Sequence, residues 1–420
     1  MLGLFASKMW RGRPGIAIAC VLLSMLGACG PDTTAQAGPE DLFYVLQPEN
    51  VSVAELTAAG FHWLILEPSR DGSAATEFSS TEIGQIRSAG PCRKNVLAYL
   101  SIGEAEDYRD YWDPNWVDAN GDPVPGVAPA WLGPVDPDWP GNYKVRYWDP
   151  DWHAILFGTP SGPGETPLDR IIDAGFDGVY LDIIDAYEFW GPEGDGHELD
   201  RMTARAYMID LVEAIANYAR VTRGVSDFLV FPQNASDIIR DDDDGFDTDT
   251  DRYFAAISGI GQEDLYYNEL SPQPAAETQY TLAQLREFAA RGKTVLVTDY
   301  VIDASNPSAA NNDGRVSDLY TRCRNEGFVP YAAMNDRDLD EIVAFSGSGW
   351  TFAQPAPGCP DCTGDLNGDA VVDLGDLSIL LANYNAPSGM QYEDGDLDGD
   401  GDVDLGDLSA MLAVYGESCT

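Results

Sequence analysis

The stretch GFDGVYLDIIDAYEFW, residues 175–190, decides the architecture of this chain. Val179, Tyr180 and Leu181 make an unbroken apolar run, and Asp182, Asp185 and Glu188 follow it closely. A strand that is apolar on both faces belongs in a sheet covered on both sides, as in parallel α/β folds. There the carboxyl ends of the strands open on one crevice, so an acid set at that edge is a candidate for chemistry.

Seven more runs of this kind recur: LFYVLQ from Leu42, HWLILEP from His62, NVLAYLSIGE from Asn95, DFLVFPQN from Asp227, AISGIGQEDLYY from Ala256, KTVLVTDYV from Lys293 and FVPYAAM from Phe328. Helical spacers such as SSTEIGQIRSAG (79–90) and MTARAYMIDLVEAIANYAR (202–220) separate them. Eight strands alternating with helices predict an α/β fold, a (β/α)8 TIM barrel over 41–353. The alternative, an open doubly wound sheet, lacks a glycine-rich phosphate loop.

With 420 residues the chain exceeds the roughly 250–300 that one core supports, so an appendage is expected. Its 70 acidic and 24 basic side chains, net −46, exclude nucleic acid and anionic membrane as partners and leave calcium and polycations open. Lys8, Arg11 and Arg13 precede a short apolar run, so 1–28 reads as a signal peptide followed by a linker, 29–40. Leu26-Gly27-Ala28-Cys29 resembles a lipobox that would lipidate Cys29, and Ala35-Gln36-Ala37 offers ordinary cleavage instead. The expected location is secreted or outer-surface. Lipid is the one route to a membrane, because no later segment is apolar for about 18 residues. Export makes disulfides the default: Cys92 with Cys323, and Cys419 with Cys359 or Cys362. His62, His153 and His197 lack zinc-ligand spacing.

Beyond a linker, 354–363, the tail 364–420 repeats itself: GDLNGDAVVDLGDLSILLANY from Gly364 returns as GDLDGDGDVDLGDLSAMLAVY from Gly395. Each copy is an alternating acidic loop leading into an apolar helix, a pattern of hard oxygen ligands suited to Ca²⁺. The first loop offers Asp365, Asn367, Asp369, Asp373, Asp376 and the Val371 carbonyl; the second offers Asp396, Asp398, Asp400, Asp404, Asp407 and the Asp402 carbonyl. The tail resembles a type I dockerin, a small all-α module with two calcium sites whose partner is a cohesin domain. In the first loop Ala370 replaces the glycine that the sharp turn favours.

Strand ends of the barrel carry Gln47, Glu67, Ser101, Glu104, Asp182, Asp185, Gln233, Asn234, Glu263, Asp264, Asp299 and Asn335, among many tyrosines and tryptophans. Two converging carboxylates in an aromatic, polar cleft are the apparatus of glycoside hydrolysis, one acting at the anomeric carbon and one moving a proton. A strand-end acid can equally serve as a salt bridge or cap, at Glu67, Glu104 and Asp299 above all. Substrate contacts are expected from Gln47, Glu104, Tyr180, Asp185, Gln233, Asn234, Asp264 and Asp299. Trp116, Trp131 and Trp139, in the insertion 115–141, are candidates for stacking on sugars or for a local apolar cover. The run RDDDDGFDTDTDR (240–252) reads as a solvated loop.

The motifs AYLSIGEAEDYRDYW, VRYWDPDW, GFDGVYLDIIDAYEFW, VFPQN and GIGQEDLYY resemble glycoside hydrolase family 114, the endo-α-1,4-polygalactosaminidases and their relatives. That resemblance implies a catalytic pair ending strands four and six, here Asp182 and Glu263. It implies a retaining reaction with Asp182 as nucleophile and Glu263 as acid/base, no catalytic cofactor, and a galactosamine-containing polysaccharide as substrate. The alternative is a carbohydrate-binding or assembly protein on the same barrel, which requires the two carboxyl groups to lie well beyond the roughly 5–5.5 Å of retaining chemistry, or one acid to be turned away from the cleft.

Overall fold

The computed structural model describes residues 42–59, 61–88, 94–158, 165–192, 194–340, 364–366, 372–386, 390, 394–397 and 402–416. The expected signal peptide, Cys29, both linkers, Cys92, Cys359, Cys362, Cys419 and the loop positions Asn367, Asp369, Val371, Asp398 and Asp400 lie outside them.

Eight strands occupy the eight predicted runs: β1 (Leu42–Val45), β2 (Trp63–Leu66), β3 (Asn95–Ser101), β4 (Gly178–Asp182), β5 (Leu229–Pro232), β6 (Gly259–Glu263), β7 (Thr294–Ile302) and β8 (Val329–Met334). Neighbours from β1 to β5, and from β6 to β8, form parallel ladders in sequence order. β5 reaches β6 through a parallel bridge, Gln233 to Gly261. Near β8, the Phe43 ring of β1 meets Tyr331 edge-on at 5.8 Å, and the Leu46 amide donates to the Leu339 carbonyl at 2.9 Å. This α/β arrangement is consistent with a (β/α) barrel, and it brings all strand ends to one mouth.

Local chemistry starts the helices where the pattern demands them. Ser52 with Glu55, and Ser79 with Glu82, form capping boxes ahead of Val53–Ala58 and Ser80–Arg87. The helix Pro167–Ala174 has proline in its first turn and ends on Gly175 at φ 83°. The acidic run at 240–252 is more than a solvated loop. Asp247 caps the helix Thr248–Ala256 and takes both Nη atoms of the buried Arg205 at 3.0 Å. Burial alone would raise this carboxyl, but Arg205 and Thr250 outweigh it and hold it down at about 2.

Between β3 and β4 a three-stranded antiparallel sheet forms from Glu104–Glu106, Asn142–Val145 and Leu132–Val135. Its aromatic residues cover the barrel flank, with Trp131 packed at 4.9 Å on Trp152 and 5.3 Å from Trp116. Cys323 is a free thiol buried in the core, which corrects its expected pairing with Cys92.

In the tail, helices Leu374–Asn383 and Leu405–Val414 share a small core of Val372, Leu380, Val403 and Met411. Each begins with the same capping box, Asp373 with Asp376 and Asp404 with Asp407. Among the described residues, no helix is long and apolar enough to cross a membrane.

The barrel interior depends on two glycines of β6. A Cβ on Gly259 would stand 2.1 Å from the Phe231 ring, and one on Gly261 would stand 1.9 Å from the Tyr180 hydroxyl. The aromatic side chains of β5 and β4 fill the space that these glycines leave. Gly261→Ala is therefore expected to overpack the interior and cost about 1–3 kcal/mol in urea denaturation.

Candidate active site

Asp182 closes β4, and β3 supplies its partner. The Tyr99 hydroxyl donates to Oδ2 at 2.6 Å, and the Ile183 amide donates to Oδ1 at 2.8 Å. Ile183 adopts φ 61°, a left-handed conformation costly for a β-branched residue. Glu263 closes β6. Tyr300 of β7 donates to its Oε1 at 2.5 Å, and Asn234 Nδ2 lies 3.3 Å from Oε2. The Glu263 amide in turn donates to Asn234 Oδ1 at 2.9 Å. Asn234, Asp264 and Arg337 also have positive φ, at 59°, 52° and 64°. The chain thus turns sharply just past the ends of β4, β5, β6 and β8.

Both carboxylates line one cavity of about 550 Å³, together with Tyr44, Gln47, Tyr99, Gln233, Tyr300 and Arg337. Neither is turned away from that cavity. Burial raises Asp182 to about 7; the Tyr99 hydrogen bond opposes this and the Glu263 charge adds to it. Burial likewise raises Glu263 against the pull of Tyr300. The phenols of Tyr99 and Tyr300 are pushed well above their usual range by burial, so both remain neutral donors.

Of the expected substrate contacts, Gln47, Asp185, Gln233 and Asn234 line this cavity. Asp185 also borders a second cavity of about 540 Å³ with Lys144, Glu188 and Arg201. Asp185 and Glu188 are both solvent-exposed at this second cavity.

Four expected contacts have other roles. Glu104 is wholly buried in an ion pair with Lys144, which also holds Asp136 at 2.7 Å. Burial and a hydrogen bond shared with Asp136 push Glu104 up to about 8. Tyr180 is buried below the mouth, its ring 5.4 Å from Tyr44. Asp299 is fully buried and accepts the amides of Leu265, Tyr266 and Tyr267 at 2.8, 2.9 and 3.0 Å, clamping the turn that follows Glu263. Asp264 accepts Arg337 Nη2 on both oxygens at 2.8 and 2.7 Å. Glu67, where a salt bridge was the alternative reading, takes Arg109 Nη1 and Nη2 at 2.6 and 2.9 Å beside the cavity.

The tryptophans divide in the same way. Trp139 is 58% exposed and lines the cavity, whereas Trp131 is buried and Trp116 packs on it. Residues missed by sequence reasoning are Glu106, Tyr108 and Arg337. Tyr99 and Tyr300 were visible as strand tyrosines without a role. Strand parity could have found Tyr99, which shares a face with Ser101, but nothing local marked Arg337.

In the tail, carboxylate oxygens of Asp402, Asp404 and Asp407 lie within 4.8 Å of one another. Asp376 and Asp407 are fully buried, and Asp365 and Asp396 nearly so. Converging hard oxygens of this kind fit a divalent cation such as Ca²⁺.

A parallel α/β fold with two carboxylates lining the cavity at its mouth is compatible with glycoside hydrolysis. The chain belongs to glycoside-hydrolase family GH114, whose model matches residues 69–350. An uncharacterized protein of Thermotoga maritima is 37% identical over 304 residues, covering 72% of this chain and 84% of that one. Uncharacterized protein MJ1477 of Methanocaldococcus jannaschii is 35% identical over 299 residues, 71% of this chain and 77% of that one. Among solved structures, the glycoside hydrolase domain of PelA from Pseudomonas aeruginosa matches with a TM-score of 0.49 at 17% identity, over 73% of this chain and 98% of that one. The PgaB (BpsB) glycoside hydrolase domain from Bordetella bronchiseptica gives 0.42 at 11%, over 72% and 95%.

The perturbed acids dictate a pH dependence. Asp182 titrates near 7 when folded and near 3.8 when unfolded, so between these values the folded chain binds more protons. Its contribution to stability therefore falls as pH rises from about 4 to 7. Asp247, held at about 2, acts in the opposite sense below pH 4. Urea midpoints are expected to peak near pH 4, and Asp182→Asn should make the fall from pH 4 to 7 shallower, with the remainder carried by Glu104 and Asp299.

Proposed function

We propose that this protein is an extracellular glycoside hydrolase that cleaves within an α-linked, galactosamine-containing polysaccharide. The observation that carries this reading is that Asp182 and Glu263, each gripped by a tyrosine hydroxyl, face the same cavity. In the retaining sequence the Asp182 carboxylate bonds to the anomeric carbon as the glycosidic C–O bond breaks, and Glu263 gives its proton to the leaving oxygen. Glu263 then takes a proton from water as that water's oxygen bonds to the anomeric carbon and releases Asp182. Burial of Glu263 keeps its proton available nearer neutrality, which is what an acid/base needs.

A substrate with free amino groups suits a mouth that carries Glu49, Asp71, Asp185 and Asp338 against Arg70 and Arg337, with Glu67 and Glu106 paired to Arg109. Trp139 offers an aromatic face for a sugar ring. Asp182→Asn and Glu263→Gln are each expected to lose about 10²–10⁴-fold or more of turnover while keeping wild-type circular dichroism. The assay is release of reducing ends from α-1,4-linked galactosamine polymer, with neutral α-linked polysaccharides in parallel. Full activity in the double variant would end this reading.

We further infer that the tail is a dockerin that binds two Ca²⁺ ions and attaches the enzyme to a cohesin domain, after export directed by 1–28 with lipid on Cys29 or free release. The repeated loop–helix units and the Asp402, Asp404 and Asp407 cluster support it. Calorimetric titration of the full chain with Ca²⁺ should show two sites, and Asp407→Ala should remove one. Absence of calcium heat would exclude the dockerin assignment.

A further inference from the structure

Arg337 enters the site from the loop beyond β8, at φ 64°, and touches two neighbours of Glu263 at once. Its Nη2 donates to both oxygens of Asp264, at 2.8 and 2.7 Å. Its guanidinium carbon also lies 4.0 Å from the centre of the Tyr300 ring, whose hydroxyl donates to Glu263 at 2.5 Å. Asp264 is the residue directly after Glu263, so Arg337 holds Glu263 through the backbone on one side and through its hydrogen-bond donor on the other.

We propose that Arg337 is a positioning residue: by neutralising Asp264 and bracing Tyr300 it keeps Glu263 oriented and able to exchange its proton. This rests on the reading of Glu263 as the proton carrier. The charge balance around Glu263 leaves Arg337 little redundancy. Facing the carboxyl are Tyr44 from β1, Asp182 and Tyr180 from β4, Asn234 after β5, Tyr300 from β7, and Asp264; Glu269 faces Asp264 in turn. The cation in this set is Arg337. Without it, Asp264 would stand beside Glu263 as an unpaired negative charge, and Tyr300 would lose the plane against which its ring rests. Lysine could supply the charge but neither the flat stacking surface nor the guanidinium geometry.

The test reads Glu263 without substrate. In full-length protein labelled with ¹³C at glutamate carboxyls, the Glu263 resonance is assigned by its loss in Glu263→Gln and followed against pH. Arg337→Gln removes a nearby cation and exposes the Asp264 charge, so the Glu263 midpoint should rise by about one pH unit. Asp264→Asn removes an anion and leaves Arg337 in place, so the midpoint should fall. The double variant should lie between, and Arg337→Lys should recover most of the rise. A residue that only supported the fold would not give opposite signs for the two partners. Unmoved midpoints, or shifts of the same sign in both single variants, overturn the proposal. If Arg337→Gln does not fold, Asp264→Asn decides alone, and a midpoint that fails to fall overturns the proposal. In parallel, the basic limb of kcat/KM on α-1,4-linked galactosamine polymer should move upward in Arg337→Gln with the titration. A wild-type protein inactive on every polysaccharide tested would overturn the hydrolase reading, while the titration still decides the role of Arg337.

Discussion

Two partly buried carboxylates, Asp182 and Glu263, which line one cavity, are the constraint around which the mouth of this protein is arranged. Removing an ionised carboxylate from water costs several kcal/mol unless other donors replace the hydration. Here the replacements are neutral tyrosine hydroxyls, Tyr99 on one acid and Tyr300 on the other. A neutral donor restrains the carboxylate without locking it in the ionised state as a salt bridge would. Burial then sets the direction in which both acids shift, raising Asp182 to about 7 and Glu263 above its ordinary value.

Arg109, Lys144 and Arg205 are used away from that pair, whereas Arg337 stands beside Glu263 at the cavity. Arg109 is spent on Glu67 and Glu106, Lys144 on Glu104 and Asp136, Arg205 on Asp247, and Arg337 on Asp264. In a chain of net −46 these pairings leave Asp182 and Glu263 without a direct ion pair among the described residues. The same allocation explains why acids that look alike at strand ends have unlike roles. Glu104 is held under the insertion, Asp299 clamps three amides, and Asp182 faces the cavity.

Much of this was legible in the chain. All eight strands fall on the apolar runs, because a strand buried on both faces writes its burial into consecutive residues. Asp182, Asp185, Gln233, Asn234 and Glu263 were recognisable as mouth residues because strand ends in a parallel sheet share one side. The filter failed where neighbours differ in parity: on β7, Tyr300 reaches Glu263 while Asp299, one position earlier, is turned to the amides beyond β6. It failed again at Glu104, where the chain has left β3 for an antiparallel sheet of its own. Among the insertion tryptophans, exposure to the cavity separates Trp139 from Trp131 and Trp116, and no spacing rule does so.

The sequence by itself determined where the strands and helices lie, which strands end in acids, and that the tail repeats. These are local properties, written in apolar runs, capping residues and direct self-similarity. The tertiary structure decided which acids share a cavity, which are consumed by arginine and lysine, and that Arg337 reaches Asp264 and Tyr300 from beyond β8. Those outcomes depend on how far the sheet curves and on how each loop turns after its strand. Residues far apart in the chain meet only through that geometry.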